Sequence, residues 1–241
     1  MKCNHRTIIN LSCIVLLLLF VVAGFSQSRV LDNKMYHLRV TDQPEWSGFP
    51  GVSGKQLVIR FDAQQNPVEN TLKLRQEDVK QNWRILLNDR EIGKLDMDES
   101  IMIRYIPIAP RMLKKGINQI VIEQFDTTAD DINVGQIAIE EHSIQQVLGQ
   151  ASVSISVTDR KTHSLLPSKI TIVDSHGALQ PFNAMEYDNL AVRTGCLYTA
   201  NGKAAFTLPQ GRYTIYASRG FEYGADSFTV VLKPGDNIEK K

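Results

Sequence analysis

The chain has 241 residues with 27 basic and 26 acidic side chains, and 22% of its residues are charged. A balance so close to neutral, without a basic run, argues against nucleic acid or an anionic membrane surface as a partner. Of the cysteines at positions 3, 13 and 196, only Cys196 follows the N-terminal segment, so no internal disulfide is expected after processing. We expect Cys196 to be a small buried side chain rather than a reactive thiol.

Residues 1–26 have the pattern of a secretory signal peptide. Lys2 and Arg6 provide a positive start, residues 8–22 are mostly apolar, and Gly24 and Ser26 are small residues before the expected cleavage site. An uncleaved membrane anchor is the alternative. We therefore expect a secreted or periplasmic protein, or one at the cell surface, without membrane contact once the signal is removed.

The next segment, QPEWSGFPG at residues 43–51, is rich in Pro and Gly and is not expected to form a regular strand. Its two aromatic residues, Trp46 and Phe49, are candidate ligand-binding residues because sugars stack their C–H faces on exposed rings. The alternative is that both rings close one end of a β-sandwich.

Short runs of alternating apolar and polar residues fill the rest of the chain. KQLVIRFD at 55–62, VSISVT at 153–158 and SFTVVL at 227–232 are examples, and such a period of two indicates half-buried strands. Trp83 begins one of these runs and is expected in the core. Turn signals such as Asn88-Asp89 separate the runs, which indicates sandwiches. The predicted fold class is all-β, with two consecutive β-sandwich domains at 27–145 and 151–241, joined by a polar stretch at 143–150.

Both halves resemble known families. Residues 82–140 resemble galactose-binding-like jelly rolls through NWRILLNDREIGKL, LKKGINQIVIEQ and DINVGQIAIE. Residues 151–235 resemble carboxypeptidase-regulatory-like, transthyretin-like sandwiches through SVSISVTDRKTHSLLPSKITIVDSHGAL and LYTANGKAAFTLPQGRYTIYASRG. The RGFEY sequence that follows looks like the region before the catalytic domain of CehA/McbA-type PHP metallohydrolases. The resemblance implies an accessory region of a metal-dependent hydrolase.

The metal-binding motif of that hydrolase family is missing from the sequence. PHP hydrolases bind metal through an H-x-H pair, whereas the histidines here, at positions 5, 37, 142, 163 and 176, include no such pair. No G-x-S-x-G elbow, phosphate loop or C-x-x-C is present either. No catalytic or metal-binding residue is therefore predicted.

Two clusters of acidic residues offer carboxylates for other kinds of chemistry. Asp96, Asp98 and Glu99, and the Asp130-Asp131 pair, are predicted to be solvated in polar turns. Calcium is a weaker possibility near Asp126, Asp130 and Asp131, because DTTADD offers oxygen ligands but lacks the spacing of a calcium loop.

The C-terminal part supplies a second candidate surface. Arg219, Phe221, Glu222 and Tyr223 surround Gly220 and are predicted to form a docking edge for a further domain or partner; a surface Arg–Glu pair is the alternative. Residues 233–241 are predicted to form a mobile tail, because DNIEKK offers little apolar surface to offset its ordering entropy.

The favoured function is a secreted, non-catalytic binding or accessory module that binds carbohydrate or docks to a separate hydrolase domain. One alternative is a truncated N-terminal part of a PHP-type metal-dependent hydrolase. Another is a structural spacer at the cell surface.

Overall fold

The computed structural model describes residues 28–42, 44 and 51–241. Within these ranges the chain forms sixteen strands and one five-residue helix, which confirms the all-β prediction. The strands of the first half are β1 Ser28–Arg39, β2 Gln56–Ala63, β3 Asn70–Glu77, β4 Trp83–Leu87, β5 Arg90–Lys94, β6 Met102–Ile108, β7 Gly116–Gln124 and β8 Asp131–Glu140. Helix α1, Ile144–Leu148, follows. The strands of the second half are β9 Ala151–Ser156, β10 Ser168–Asp174, β11 Leu190–Arg193, β12 Cys196–Thr199, β13 Lys203–Leu208, β14 Gly211–Ser218, β15 Asp226–Leu232 and β16 Asn237–Lys240.

The first eight strands form two sheets that enclose one core. Their orders are β1-β8-β3-β6 and β2-β7-β4-β5. On β2, Leu57, Ile59 and Phe61 are buried, as the period-two pattern predicts. Trp83 at the start of β4 is also wholly buried in this core, which confirms its predicted place.

The second group of strands encloses a separate core. It lies between a five-stranded sheet, in the order β11-β12-β10-β14-β15, and a three-stranded sheet, β13-β9-β16. Ile172, Phe206 and Ile215 are among its buried residues. Cys196 is buried too, with its Sγ 3.7 Å from Thr171 Oγ1, so the prediction of a buried thiol is confirmed.

The polar stretch between the two groups folds into a capped helical turn. Ser143 accepts a hydrogen bond from the backbone N–H of Gln146, whose side chain in turn accepts one from the backbone N–H of Ser143. This capping box stabilises α1 although the helix is short. Val147 and Leu148 are buried in a small cluster with Tyr105. The stretch is thus anchored to its surroundings by apolar contacts that its polar composition did not reveal.

Backbone hydrogen bonds also join the two halves. The N–H of Ile103 on β6 donates to the carbonyl of Leu179, and the N–H of Leu179 donates to the carbonyl of Ile101, at 3.0 and 2.8 Å. Beside them, the Gln180 side-chain amide donates to the Tyr105 hydroxyl at 3.3 Å. Burial raises the pKa of Tyr105, so its hydroxyl keeps its proton at neutral pH. These contacts place the turn that precedes Leu179 against the first sandwich.

The predicted mobile tail is wrong. Residues 237–240 form β16, which runs parallel to β9 and pairs Ile238 with Val153. The Ser152 N–H donates to the Asp236 carbonyl, and the Asp236 side chain accepts from the Lys233 N–H, both at 2.8 Å. The exposed edge of β9 therefore supplies backbone partners that offset the ordering entropy of this segment.

Replacing Ile238 with Ala is expected to destabilise the protein by about 1–2 kcal/mol, because Ile238 is half-buried against the second core. Chemical denaturation would measure the change, with Glu239→Ala as the control because Glu239 is exposed on the same strand. Equal stability of the two variants would contradict the docking of β16 seen here.

Candidate binding cleft

A cleft of about 480 Å³ opens on the sheet β1-β8-β3-β6, on the face opposite the first core. Leu72 and Leu74 of β3 point into that core, so Arg75 and Glu77 on the same strand point to the other face. His176, in the turn after β10, borders the cleft from the second sandwich. The lining residues are Met35, His37, Gly51, Ser53, Arg75, Glu77, Asn133, Gln136 and His176.

A bulge in β8 shapes the floor of the cleft. Ile132 and Val134 face the core before the bulge, whereas Ile137 and Ile139 face it afterwards, so the alternation shifts by one residue. The pairing of β8 with both β1 and β3 is irregular at this level. Gln136 sits at the shift with a φ of 49° and lines the cleft. The extra residue thus directs an amide side chain away from the core.

Arg75 connects the cleft floor to the second sandwich. Its side chain is 10% exposed. Nη2 donates to the backbone carbonyl of His176 at 3.0 Å, and Nη1 lies 3.7 Å from Asp174 Oδ2. The guanidinium is therefore held in place by two groups from the opposite side of the cleft, which fixes both walls relative to each other.

A second charged network lies beside the first. Asp131 is wholly buried, accepts a hydrogen bond from Arg39 Nε and lies 3.4 Å from His37 Nε2. His37 is only 4% exposed, and its backbone N–H donates to Ser53 Oγ at 3.3 Å. Because Arg39 and Asp131 are paired, the imidazole of His37 is held at the cleft by a fixed carboxylate.

The prediction of solvated carboxylates at Asp130-Asp131 is wrong. Asp130 is 1% exposed, and its Oδ2 accepts hydrogen bonds from Lys80 N, Gln81 N and Trp83 Nε1 at 3.2, 2.9 and 2.8 Å. These donors lie about fifty residues away in the chain, so the local sequence gave no sign of them. Asp130 is a structural anchor for the segment that leads into β4.

The three aspartates that could offer ligands to calcium do not form a common metal-binding site in the described structure. Asp130 and Asp131 are bonded as above, while Asp126 lies in an exposed loop. The backbone N–H of Thr128 donates to Asp126 and lowers the pKa of its carboxyl below the usual value. In the ranges that the structure covers, no group of three or more His, Cys, Asp or Glu side chains could hold a metal ion.

The residues predicted from sequence do not line the described part of the cleft. Trp46 and Phe49 lie outside the described residues, so their stacking role stays a prediction. Phe221 is fully exposed in the loop between β14 and β15, and the Arg219 guanidinium lies 5.2 Å from the centre of the Tyr223 ring. Glu222 is exposed, and no ion pair joins it to Arg219 in the structure as described. The docking edge also stays a prediction.

Sequence reasoning missed the residues that form the cleft. Arg75 and Glu77 were detectable in principle as polar positions alternating with Leu72 and Leu74. Gln136 was not, because a regular strand would turn its side chain toward the core. The approach of His176 depends on how the two sandwiches pack, which local sequence patterns do not encode.

No protein-family model and no curated protein matches the chain. Among solved structures, it is similar to a GH2 β-galacturonidase from Eisenbergiella tayi bound to glycerol, with 10% identity and a TM-score of 0.31 over 86% of this chain and 43% of that one. It is also similar to a β-glucuronidase from Ruminococcus gnavus in complex with uronic deoxynojirimycin, with 12% identity and a TM-score of 0.30 over 88% and 46%. The chain thus spans less than half of each. Likeness at this level does not assign a family.

The described residues also contain no helix that is long and apolar enough to cross a membrane.

Proposed function

We propose that this protein is a non-catalytic carbohydrate-binding module that works outside the cytoplasm, with its ligand in the cleft between the two sandwiches. The polar lining of that cleft is the observation that supports the proposal. Export is inferred from the N-terminal sequence, residues 1–26.

The chemistry of the lining suits a ligand rich in hydroxyl groups. Each sugar hydroxyl both donates and accepts hydrogen bonds. The cleft offers the Glu77 carboxylate as an acceptor, and the amides of Asn133 and Gln136 as both donors and acceptors. Arg75 and His37 are held in position by their own partners, so binding would lose little side-chain entropy.

We propose binding without catalysis because most carboxylates at the cleft are paired with arginine side chains. Hydrolysis of a glycosidic bond ordinarily needs two carboxyl groups, one on each side of the bond. Beside this cleft, Asp131 is bonded to Arg39 and Asp174 lies against Arg75. Only Glu77 is left to face a ligand, among the acidic side chains that the structure places at the lining. One carboxylate suits recognition better than acid–base chemistry.

A glycan array followed by calorimetric titration would test the proposal. Asn133→Ala should weaken binding of the best glycan by about 1–2 kcal/mol, roughly 5- to 30-fold, because it removes a half-buried hydrogen-bonding amide from the cleft. Asn237→Ala is the matched control, since Asn237 is exposed on β16. Absence of any glycan ligand, or equal loss in both variants, would count against the proposal.

The aromatic loop predicted from sequence gives a separate test. If Trp46 provides a stacking surface, Trp46→Ala should weaken glycan binding by about 1–3 kcal/mol and leave the melting temperature nearly unchanged. Titration and thermal denaturation of the same variant would check this. A large loss of stability without a separate effect on binding would instead indicate that Trp46 fills a core.

A further inference from the structure

We infer that the cleft selects uncharged sugars over sugars that carry a carboxylate, and that Glu77 sets this preference. The inference rests on the proposed function, because it names the ligand class for the same cleft. It also assigns a specificity role to a residue that belongs to neither hydrophobic core.

Among the described residues at the cleft, one lining carboxylate has no cationic partner. Two guanidinium groups, those of Arg39 and Arg75, face three carboxylates, those of Asp131, Asp174 and Glu77. Arg39 is paired with Asp131, and Arg75 with Asp174. No ion pair to Glu77 is found within the described ranges. Among the described charged groups that line the cleft or pair with its lining, Glu77 is therefore the carboxylate that faces no cation.

Arg75 is not arranged to receive a carboxylate from a ligand. A guanidinium binds a carboxylate best through two parallel N–H bonds. Here Nη2 of Arg75 already donates to the His176 carbonyl, and Nη1 faces Asp174. The side chain is 10% exposed, so it cannot turn its fork outward without giving up both partners. Asp174, at ion-pair distance, thus offsets the charge of the cation that would ordinarily attract an acidic sugar.

Glu77 favours a hydroxyl group of the ligand over a carboxylate. It is half-buried at the end of β3, paired in register with Asn133 on β8, and it lines the cleft. A sugar hydroxyl can donate a charge-assisted hydrogen bond to its carboxylate. A ligand carboxylate at the same position would be repelled by the like charge of Glu77.

The test compares pairs of sugars that differ in the group at C6, which is a hydroxymethyl in one member and a carboxylate in the other. Titrations at pH 8 would use methyl galactoside against methyl galacturonide and methyl glucoside against methyl glucuronide. The native protein should bind the neutral member of the better pair at least tenfold more tightly. Glu77→Gln keeps the shape and removes the charge, so the ratio should fall to about threefold or less. Glu91→Gln, on an exposed position of β5, should leave the ratio unchanged.

The possible outcomes distinguish a failure of this inference from a failure of the proposed carbohydrate binding. Equal or tighter binding of the acidic sugar by the native protein would overturn the inference, and so would a ratio that Glu77→Gln leaves unchanged. In both cases carbohydrate binding itself would stand. If neither pair and no glycan on an array binds, the proposed function fails and the inference fails with it.

Discussion

Replacing Trp83 with Ala is expected to lower the free energy of unfolding by about 3–5 kcal/mol. The indole is wholly buried in the first core and donates from Nε1 to Asp130 Oδ2 at 2.8 Å. The substitution removes a large apolar volume and one of the donors to a buried carboxylate. Urea denaturation monitored by circular dichroism would measure the change.

Tyr198→Ala is the matched control for this experiment, because that ring is 46% exposed on β12. Tyr198→Ala should lower the free energy of unfolding by less than about 1 kcal/mol. Trp83→Phe should fall between the two, since it keeps apolar volume but loses the bond to Asp130. If Trp83→Ala lowers the free energy of unfolding no more than Tyr198→Ala does, the core is not packed around Trp83.

Gly135→Ala is expected to destabilise the protein by about 2–3 kcal/mol and to weaken ligand binding as well. A Cβ at this position would overlap the backbone carbonyl oxygen of Lys34 on β1. Relief of that overlap must move β1 away from β8 or remove the bulge. Either movement would displace Gln136 from the cleft.

Gly224→Ala provides the comparison, because a Cβ there would meet no atom within 4 Å. Denaturation would report stability, and titration with the best glycan would report binding. Normal stability of Gly135→Ala would contradict the close approach of β1 and β8. Lower stability with unchanged binding would instead show that ligand binding in the cleft does not depend on the bulge.

The fold class was predictable because burial on the strands follows the alternation in the sequence. Leu57, Ile59 and Phe61 on β2 illustrate this, since every second residue is apolar and all three are buried. The same reasoning failed for β16, where Ile238 is the only apolar residue. Its order comes from backbone pairing with β9, which lies more than eighty residues earlier in the chain. Local composition does not report such pairing.

The cleft was less predictable than the fold for a related reason. Its residues come from three strands, the segment before β2 and one turn, and the bulge at Gln136 reverses the direction that simple alternation assigns. Asp130 shows the same limit, because its donors come from Lys80, Gln81 and Trp83. A pair of adjacent acidic residues in a polar stretch indicates a solvated turn until those distant donors are known.

An NMR titration of the ¹⁵N-labelled protein with its best neutral glycan would test the central claim most directly. Ligand bound in the cleft should cause saturable shifts of the backbone amides of the lining residues on both walls, at one common affinity. These residues include His37, Arg75, Glu77, Asn133 and His176. Saturable shifts confined to other surfaces, such as the loop between β14 and β15, would contradict it.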